Sequence, residues 1–138
     1  WAFPLACYAR THNMYFHATP EEPNQGGVWL AALREDGYVA LEAESQGEFW
    51  TQPASFTGTR LLLNCWGMKG ARVTVEFSDL YGKPLPGFAL ADCDGLAGDH
   101  LWSPVTWRGA GDLSSLRGQL LRVRFQLHRM RLHGFRFA

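Results

Sequence analysis

The chain from residue 60 to its end is a series of short runs in which apolar and polar residues alternate, separated by Gly, Pro and Asp. Residues 72–78 show this alternation clearly, which is the side-chain period of a strand with one buried face. The same period returns in residues 121–127 and 133–137. Residues 128–130, between these two runs, predict a turn and hence a C-terminal hairpin. No helix-length apolar period is present, so the pattern predicts an all-β, antiparallel fold.

The 138 residues and 46% hydrophobic content suit one domain with a core between two sheets. We therefore predict a single antiparallel β-sandwich over residues 1–138, jelly-roll-like, that folds without metal or disulfide support. Residues 13–18 and 28–33 are predicted to pair as strands around a long loop. Residues 112–116 are predicted to form one helical turn that begins at Asp112.

Charge and cysteine content exclude several classes of partner and site. Thirteen basic and thirteen acidic side chains cancel, so the overall charge favours neither nucleic acid nor an anionic membrane. No apolar run is long enough to span a bilayer. The three cysteines have no paired metal-ligand spacing and allow at most one disulfide; they are Cys7, Cys65 and Cys93.

The charges are unevenly distributed along the chain. No carboxylate side chain follows Leu113, whereas six arginines do, and residues 35–48 are locally acidic. Two interpretations stay open: the two regions neutralise each other, or Arg122, Arg124 and their outward neighbours on the sheet form a polar face for sugar, including anionic sugar.

Several irregular loops resemble a known family. The segments that carry the resemblance are Arg34-Glu-Asp-Gly-Tyr, Gly82-Lys-Pro-Leu-Pro-Gly-Phe, Asp92-Cys-Asp, Gly98-Asp, Val105-Thr-Trp, Asp112-Leu-Ser-Ser-Leu and the closing Leu-Arg-Val-Arg-Phe with Phe-Arg-Phe. Together they resemble the C-terminal β-sandwich that follows a five-bladed propeller in bacterial proteins related to glycoside hydrolase families 32 and 43. The resemblance covers residues 28 to the end.

This resemblance implies a non-catalytic accessory module of a secreted, extracellular glycoside-hydrolase-related protein. In that family the catalytic carboxylates lie in the propeller, so catalysis is not expected here. Residues 1–33 would be the end of the preceding propeller domain or an added hairpin. The partners implied are a polysaccharide or oligosaccharide and the parent hydrolase domain, with no nucleic acid and no membrane. Two alternatives remain: a support domain without a ligand of its own, and a protein-interaction module.

Aromatic residues are the first candidates for sugar contact. Six tryptophans are present, and a flat indole covers the C–H surface of a pyranose ring. Four aromatics at predicted strand ends or in loops are our candidate contacts: Trp50, Trp66, Tyr81 and Trp102. Apolar or β-branched neighbours instead predict core positions for Trp29 and Trp107.

The segment from residue 92 to 99 contains three carboxylates and two glycines. Asp92, Asp94 and Asp99 would suit an oxygen-ligated cation, and we state a structural calcium as a hypothesis. The alternative is that these aspartates cap turns or pair with Arg108. They share one loop, and nothing in the sequence places an opposing acid, so no glycosidase pair is predicted.

Overall fold

A computed structural model describes residues 1–7 and 27–138. Over these residues the protein is all-β and antiparallel, mostly in strands and with almost no helix. This architecture confirms the predicted sandwich-like β class. The strands are β1 (Ala2–Cys7), β2 (Gly27–Ala32), β3 (Leu41–Glu42), β4 (Gln46–Trp50), β5 (Leu61–Ser78), β6 (Asp99–Pro104) and β7 (Arg122–Phe137).

The chain divides into two compact units, Trp1–Glu35 and Asp36–Ala138. The first contains β1 and β2, which pair antiparallel with Ala2 opposite Ala32. The second contains a sheet in which β3, β7, β5 and β6 are neighbours in that order and β4 also pairs with β7.

Two long strands, β5 and β7, form the centre of the sheet. They pair antiparallel from Leu61 opposite Phe137 to Ser78 opposite Arg122. The prediction of a C-terminal hairpin is therefore wrong, because β7 runs unbroken through residues 128–130. One residue there, Arg129, adopts a positive φ of 50° at a register shift, so the residues bulge instead of turning.

The apolar face of this strand pair forms the core. Val73, Val75 and Phe77 are at most 1% exposed, as the alternation predicts. Phe125 of β7 is fully buried and stacks on Phe49 of β4 at a centroid distance of 4.9 Å. Burial of one such side chain stabilises the fold by about 2–3 kcal/mol, so this face holds the sheet together.

Loop segments cover the core face of the sheet. The predicted helical turn is present as a 3₁₀ turn, Ser114–Leu116, and the Asp112 carboxylate accepts hydrogen bonds from both the backbone N–H and the hydroxyl of Ser114. Leu113 beside it is fully buried. Trp107 is buried as predicted, and its indole N–H donates to the Val75 carbonyl at 2.9 Å. These contacts fix the loops on the core side of the sheet.

The first unit differs from the sequence prediction at Trp29. Residues 2–7 form a strand that includes Pro4, and Trp29 of β2 is 63% exposed within its unit instead of lying in a core. Trp29 was predicted to be core because its neighbours are apolar, but those neighbours, Val28 and Leu30, are exposed as well. The predicted strand at residues 13–18 lies outside the described residues.

Candidate functional site: a groove on the polar face of the sheet

The polar face of the sheet is built from rungs of opposed residues on neighbouring strands. Opposed residues of an antiparallel pair project to the same side, so each rung presents its side chains together. Three rungs span β5, β7 and β4: Arg72–His128–Gln46, Thr74–Gln126–Glu48 and Glu76–Arg124–Trp50. A fourth rung pairs Ser78 with Arg122. Outward positions predicted for Arg72, Arg122, Arg124 and Gln126 are thus brought onto one surface.

A groove of about 410 Å³ lies on this face. Its floor comes from the first two rungs and its wall from the segment that follows β5. The lining residues are Gln46, Arg72, Thr74, Leu90, Ala91, Cys93, Gln126, Leu127 and His128.

Four polar side chains of the floor keep their hydrogen-bonding capacity. Within residues 1–7 and 27–138, no hydrogen bond or ion pair engages the side chains of Gln46, Thr74, Gln126 or His128. Three of the four are exposed and Thr74 is half-buried. A carboxamide donates hydrogen bonds through its NH₂ group and accepts them at its carbonyl oxygen, and a hydroxyl group both donates and accepts through one oxygen. The floor therefore presents mixed donors and acceptors to whatever occupies the groove.

The wall is fixed to the edge of β5. Leu90 donates its backbone N–H to the Glu76 carboxylate at 3.0 Å. Val73 and Leu96 exchange two backbone hydrogen bonds, at 2.9 and 3.0 Å. Arg72 donates to the carbonyl of Asp94 at 2.6 Å. Because three separate points tie this segment down, the width of the groove is set by the fold.

Cys93 contributes to the wall from a buried position. Its Sγ accepts a hydrogen bond from the Val75 N–H at 3.3 Å, and burial raises the pKa of its thiol. Cys93 and Cys65 are both buried and are not joined to each other by a disulfide.

Arg124, beside the groove, is neutralised by two carboxylates. Its Nη2 lies 2.6 Å from Glu48 Oε2, and its Nη1 lies 3.6 Å from Glu76 Oε1. The hydrogen bond to Glu48 is the main reason that the pKa of Arg124 is raised. Glu76 itself is only 3% exposed. Its Oε1 and the Nε atoms of Arg122 and Arg124 are buried and have no hydrogen-bond partner among the described residues.

Three of the four predicted aromatic contacts lie under arginine side chains. The guanidinium carbons of Arg122 and Arg124 are 5.1 and 5.2 Å from the centre of the Trp50 ring. These distances are typical of cation–π contacts, and Trp50 is half-buried. Only Trp50 belongs to a rung that adjoins the groove.

Trp66 lies in the first half of β5, and Trp102 lies in the neighbouring strand β6. Arg131 is 5.4 Å from the ring of Trp66, and Arg136 is 4.2 Å from that of Trp102. Trp102 has a positive φ of 57° where the β5–β6 register shifts. These two aromatics therefore form a second Arg–Trp surface, separate from the groove lining.

Tyr81 is 96% exposed at the tip of the loop after β5. The Asp79 carboxylate holds this loop by accepting hydrogen bonds from the backbone N–H groups of Tyr81 and Lys83, each at 2.9 Å. The ring is accessible, but it does not line the groove.

The acidic loop uses its carboxylates to bind protein donors. Asp92 pairs with Arg108 at 2.5 Å, which is the alternative stated above. Asp94 accepts from the Thr106 hydroxyl at 2.5 Å and from the Gly109 N–H at 2.8 Å, and these bonds lower the pKa of Asp94. Across the part of the chain that the structure describes, no group of three or more His, Cys, Asp or Glu side chains could hold a metal ion. The calcium hypothesis for Asp92, Asp94 and Asp99 stays a prediction.

Sequence reasoning did not find Gln46, Thr74 or His128 as site residues. The alternation of β5 predicts an outward position for Thr74, so the sequence could have identified it as a site residue. No sequence feature could have identified Gln46, because Gln46 meets His128 only through the long-range pairing of β4 with β7.

Comparison with protein-family models, curated proteins and solved structures gives no match to this chain. Among the described residues no helix has the length and apolar character needed to cross a membrane.

Proposed function

We propose that the protein is a non-catalytic carbohydrate-binding module that binds a polysaccharide or oligosaccharide in the groove on its polar sheet face. The observation that carries this proposal is the set of four unengaged polar side chains on three adjacent strands. They are Gln46, Thr74, Gln126 and His128. From the resemblance to the sandwich of glycoside-hydrolase-related proteins, and not from the groove, we extend the proposal to a secreted module with a parent glycoside hydrolase domain.

The chemistry of the groove suits a sugar ring. Each sugar hydroxyl is both a donor and an acceptor, so it pairs well with carboxamides, which are both as well. Trp50 lies one rung from Gln126 and supplies an aromatic surface at that end. A sugar that reaches Trp50 would stack on the indole or displace Arg122 from it. Trp66, Trp102 and Tyr81 would then be peripheral contacts for a longer chain.

The test is calorimetric titration of the protein with a panel of soluble oligosaccharides, alongside pull-down on insoluble polysaccharides. We compare Gln126→Ala with Gln52→Ala, a matched control because Gln52 is exposed and lies outside the groove. Loss of one hydrogen-bonding side chain costs about 1 kcal/mol, so Gln126→Ala should weaken binding about fivefold. Gln52→Ala should bind like the wild type. Absence of binding across the panel, or equal effects of the two variants, would overturn the proposal.

A second function is favoured by the exposed apolar strand β2. Val28, Trp29 and Leu30 are 79%, 63% and 74% exposed within their unit. Contiguous exposed apolar side chains are typical of protein-contacting surfaces, as a support domain or an interaction module would require. Analytical ultracentrifugation of the wild type and of a Val28→Ser/Leu30→Ser variant tests whether β2 mediates self-association. A wild-type oligomer that the variant converts to a monomer would support this contact role. Monomers in both cases would argue against self-association through β2.

A further inference from the structure

We infer that the groove selects an uncharged, polyhydroxylated ligand, a neutral glycan segment, over carboxylated or sulfated glycans. This inference rests on the proposed function, because it specifies the chemical class of ligand for the same site. It decides between the neutral and the anionic alternatives that the arginine-rich sequence left open.

The first step concerns the floor of the groove. Its unengaged groups are two carboxamides, a hydroxyl and an imidazole, and none of these is a fixed cation. A buried or half-buried anion needs a guanidinium, an ammonium or several converging N–H donors to replace its hydration. The floor supplies mixed donors and acceptors instead, which match hydroxyl groups.

The second step concerns Arg72, the arginine that lines the groove. Its Nη2 is held by the carbonyl of Asp94 at 2.6 Å. The pKa of the Asp94 carboxyl is lowered mainly by the Thr106 hydroxyl and the Gly109 N–H, with a smaller contribution from the charge of Arg72. The guanidinium also packs against Gly95, where a Cβ would lie 2.7 Å from Arg72 Nε. Arg72 is therefore held against the wall by a hydrogen bond and by packing.

The third step concerns the rim. Glu48 stands opposite Gln126 in the middle rung, and its side chain is 45% exposed. With Glu76 it places two carboxylates around the single guanidinium of Arg124. An anionic ligand would approach the exposed carboxylate of Glu48 at this rim, which disfavours its binding.

Arg129, next to the lining residue His128, has no carboxylate partner among the described residues but is not part of the groove lining. Arg122 has no carboxylate partner among those residues either. It stacks over Trp50 and lies opposite Ser78, four residues along the strand from Gln126. That separation is about 13 Å, which exceeds the screening length of about 8 Å at physiological salt. Arg122 therefore does not make the groove an anion site.

The experiment measures affinity for matched neutral, carboxylated and sulfated oligosaccharides at low and high ionic strength. Between about 0.01 M and about 1 M salt the screening length falls from about 30 to about 3 Å. We expect binding of neutral ligands, with an affinity that changes less than about twofold over this range. Binding only of anionic ligands, weakened by salt, would overturn the inference and leave the proposed function standing. No binding of any ligand would instead overturn the proposed function.

A pair of variants isolates the contribution of the rim. Glu48→Gln removes the carboxylate beside the groove, whereas Glu42→Gln removes a comparable one. Glu42 is paired with Arg131 at 2.9 Å and has a 46% exposed side chain, but lies outside the groove. We expect Glu48→Gln to raise the ratio of anionic to neutral affinity at least about threefold. An unchanged ratio in Glu48→Gln, or an equal rise in Glu42→Gln, would contradict the inference.

Discussion

Glu76 accepts the backbone N–H of Leu90 at 3.0 Å and so joins the sheet to the wall of the groove. The carboxylate lies at the end of the groove, one rung from Thr74, and its other oxygen faces Arg124. One buried side chain therefore positions the wall and balances a neighbouring arginine. We treat Glu76 as a positioning residue, since it does not line the groove.

Replacement of Glu76 should separate these two roles. Glu76→Ala leaves the Leu90 N–H and part of the Arg124 charge unpaired, and should lower the free energy of unfolding by about 2–3 kcal/mol. Glu76→Gln keeps an acceptor for the Leu90 N–H, so its free energy of unfolding should fall by less. Urea denaturation measures the free energy of unfolding of both variants. Equal losses in the two variants would show that the hydrogen bond to Leu90 contributes nothing.

Trp107 anchors the loop layer to β5 through the Val75 carbonyl. Trp107→Phe keeps an aromatic ring but leaves this buried carbonyl without its donor. It should therefore lower the free energy of unfolding, measured by urea denaturation, by about 1–3 kcal/mol. Trp66 is half-buried and serves as the comparison, and Trp66→Phe should lower the free energy of unfolding by less. A smaller loss of unfolding free energy for Trp107→Phe than for Trp66→Phe would show that the hydrogen bond from Trp107 to the Val75 carbonyl adds little stability.

Gly95 is required where the wall crosses Arg72. Its φ is +67°, and a Cβ there would lie 2.9 Å from the Val73 carbonyl oxygen. Gly98 also has a positive φ, of +101°, but has open space around it. Gly98→Ala should therefore show only the backbone cost of about 1–2 kcal/mol, and Gly95→Ala should be distinctly less stable. Thermal denaturation of both variants tests this, and equal midpoints would be the contrary result.

Acid should destabilise the protein partly through Asp94. Its pKa is lowered below the ordinary 3.8, first by the Thr106 hydroxyl and then by the Gly109 N–H. A carboxyl with a lowered folded-state pKa stabilises the fold at pH values above its unfolded pKa, and this contribution disappears as the pH falls through the folded value. Asp94→Asn should therefore flatten the decline of stability below pH 3.8. Urea midpoints measured from neutral pH downward test the slope, and an unchanged slope would refute the assignment.

Trp50 is the aromatic that the groove predicts to matter for binding. Trp50→Ala should weaken oligosaccharide binding about tenfold, because it removes the stacking surface next to Gln126. Trp66→Ala removes an indole that is also covered by an arginine but lies outside the groove, and its effect should be below about twofold. Calorimetry compares the two, and the reverse order would move the site to the second Arg–Trp surface.

Local periodicity predicted the part of the fold that depends on neighbours in sequence. Alternation placed Val73, Val75 and Phe77 inward and Arg72 and Gln126 outward, because the strand period follows from backbone geometry alone. The same reasoning failed around Arg129. The sequence pattern predicts that the strand ends there, but a left-handed conformation at this one residue forms a bulge and β7 continues.

Contacts across the sheet could not be read from the sequence. Gln46 meets His128 only once the register of β4 on β7 is set, and a shift of one residue would turn it to the other face. Trp29 shows a different limit, since apolar neighbours predicted burial whereas β2 is exposed in its unit. The Arg–Trp stacks likewise arise from pairing between distant strands.

Chemical-shift mapping on the ¹⁵N-labelled protein tests the central claim most directly, with a neutral oligosaccharide as titrant. The carboxamide signals of Gln46 and Gln126 and the backbone signals of Thr74 and Leu90 should shift together in a saturable manner. Shifts confined to the loop of Tyr81 or to the surface around Trp66, or an unchanged spectrum, would contradict a glycan site in the groove.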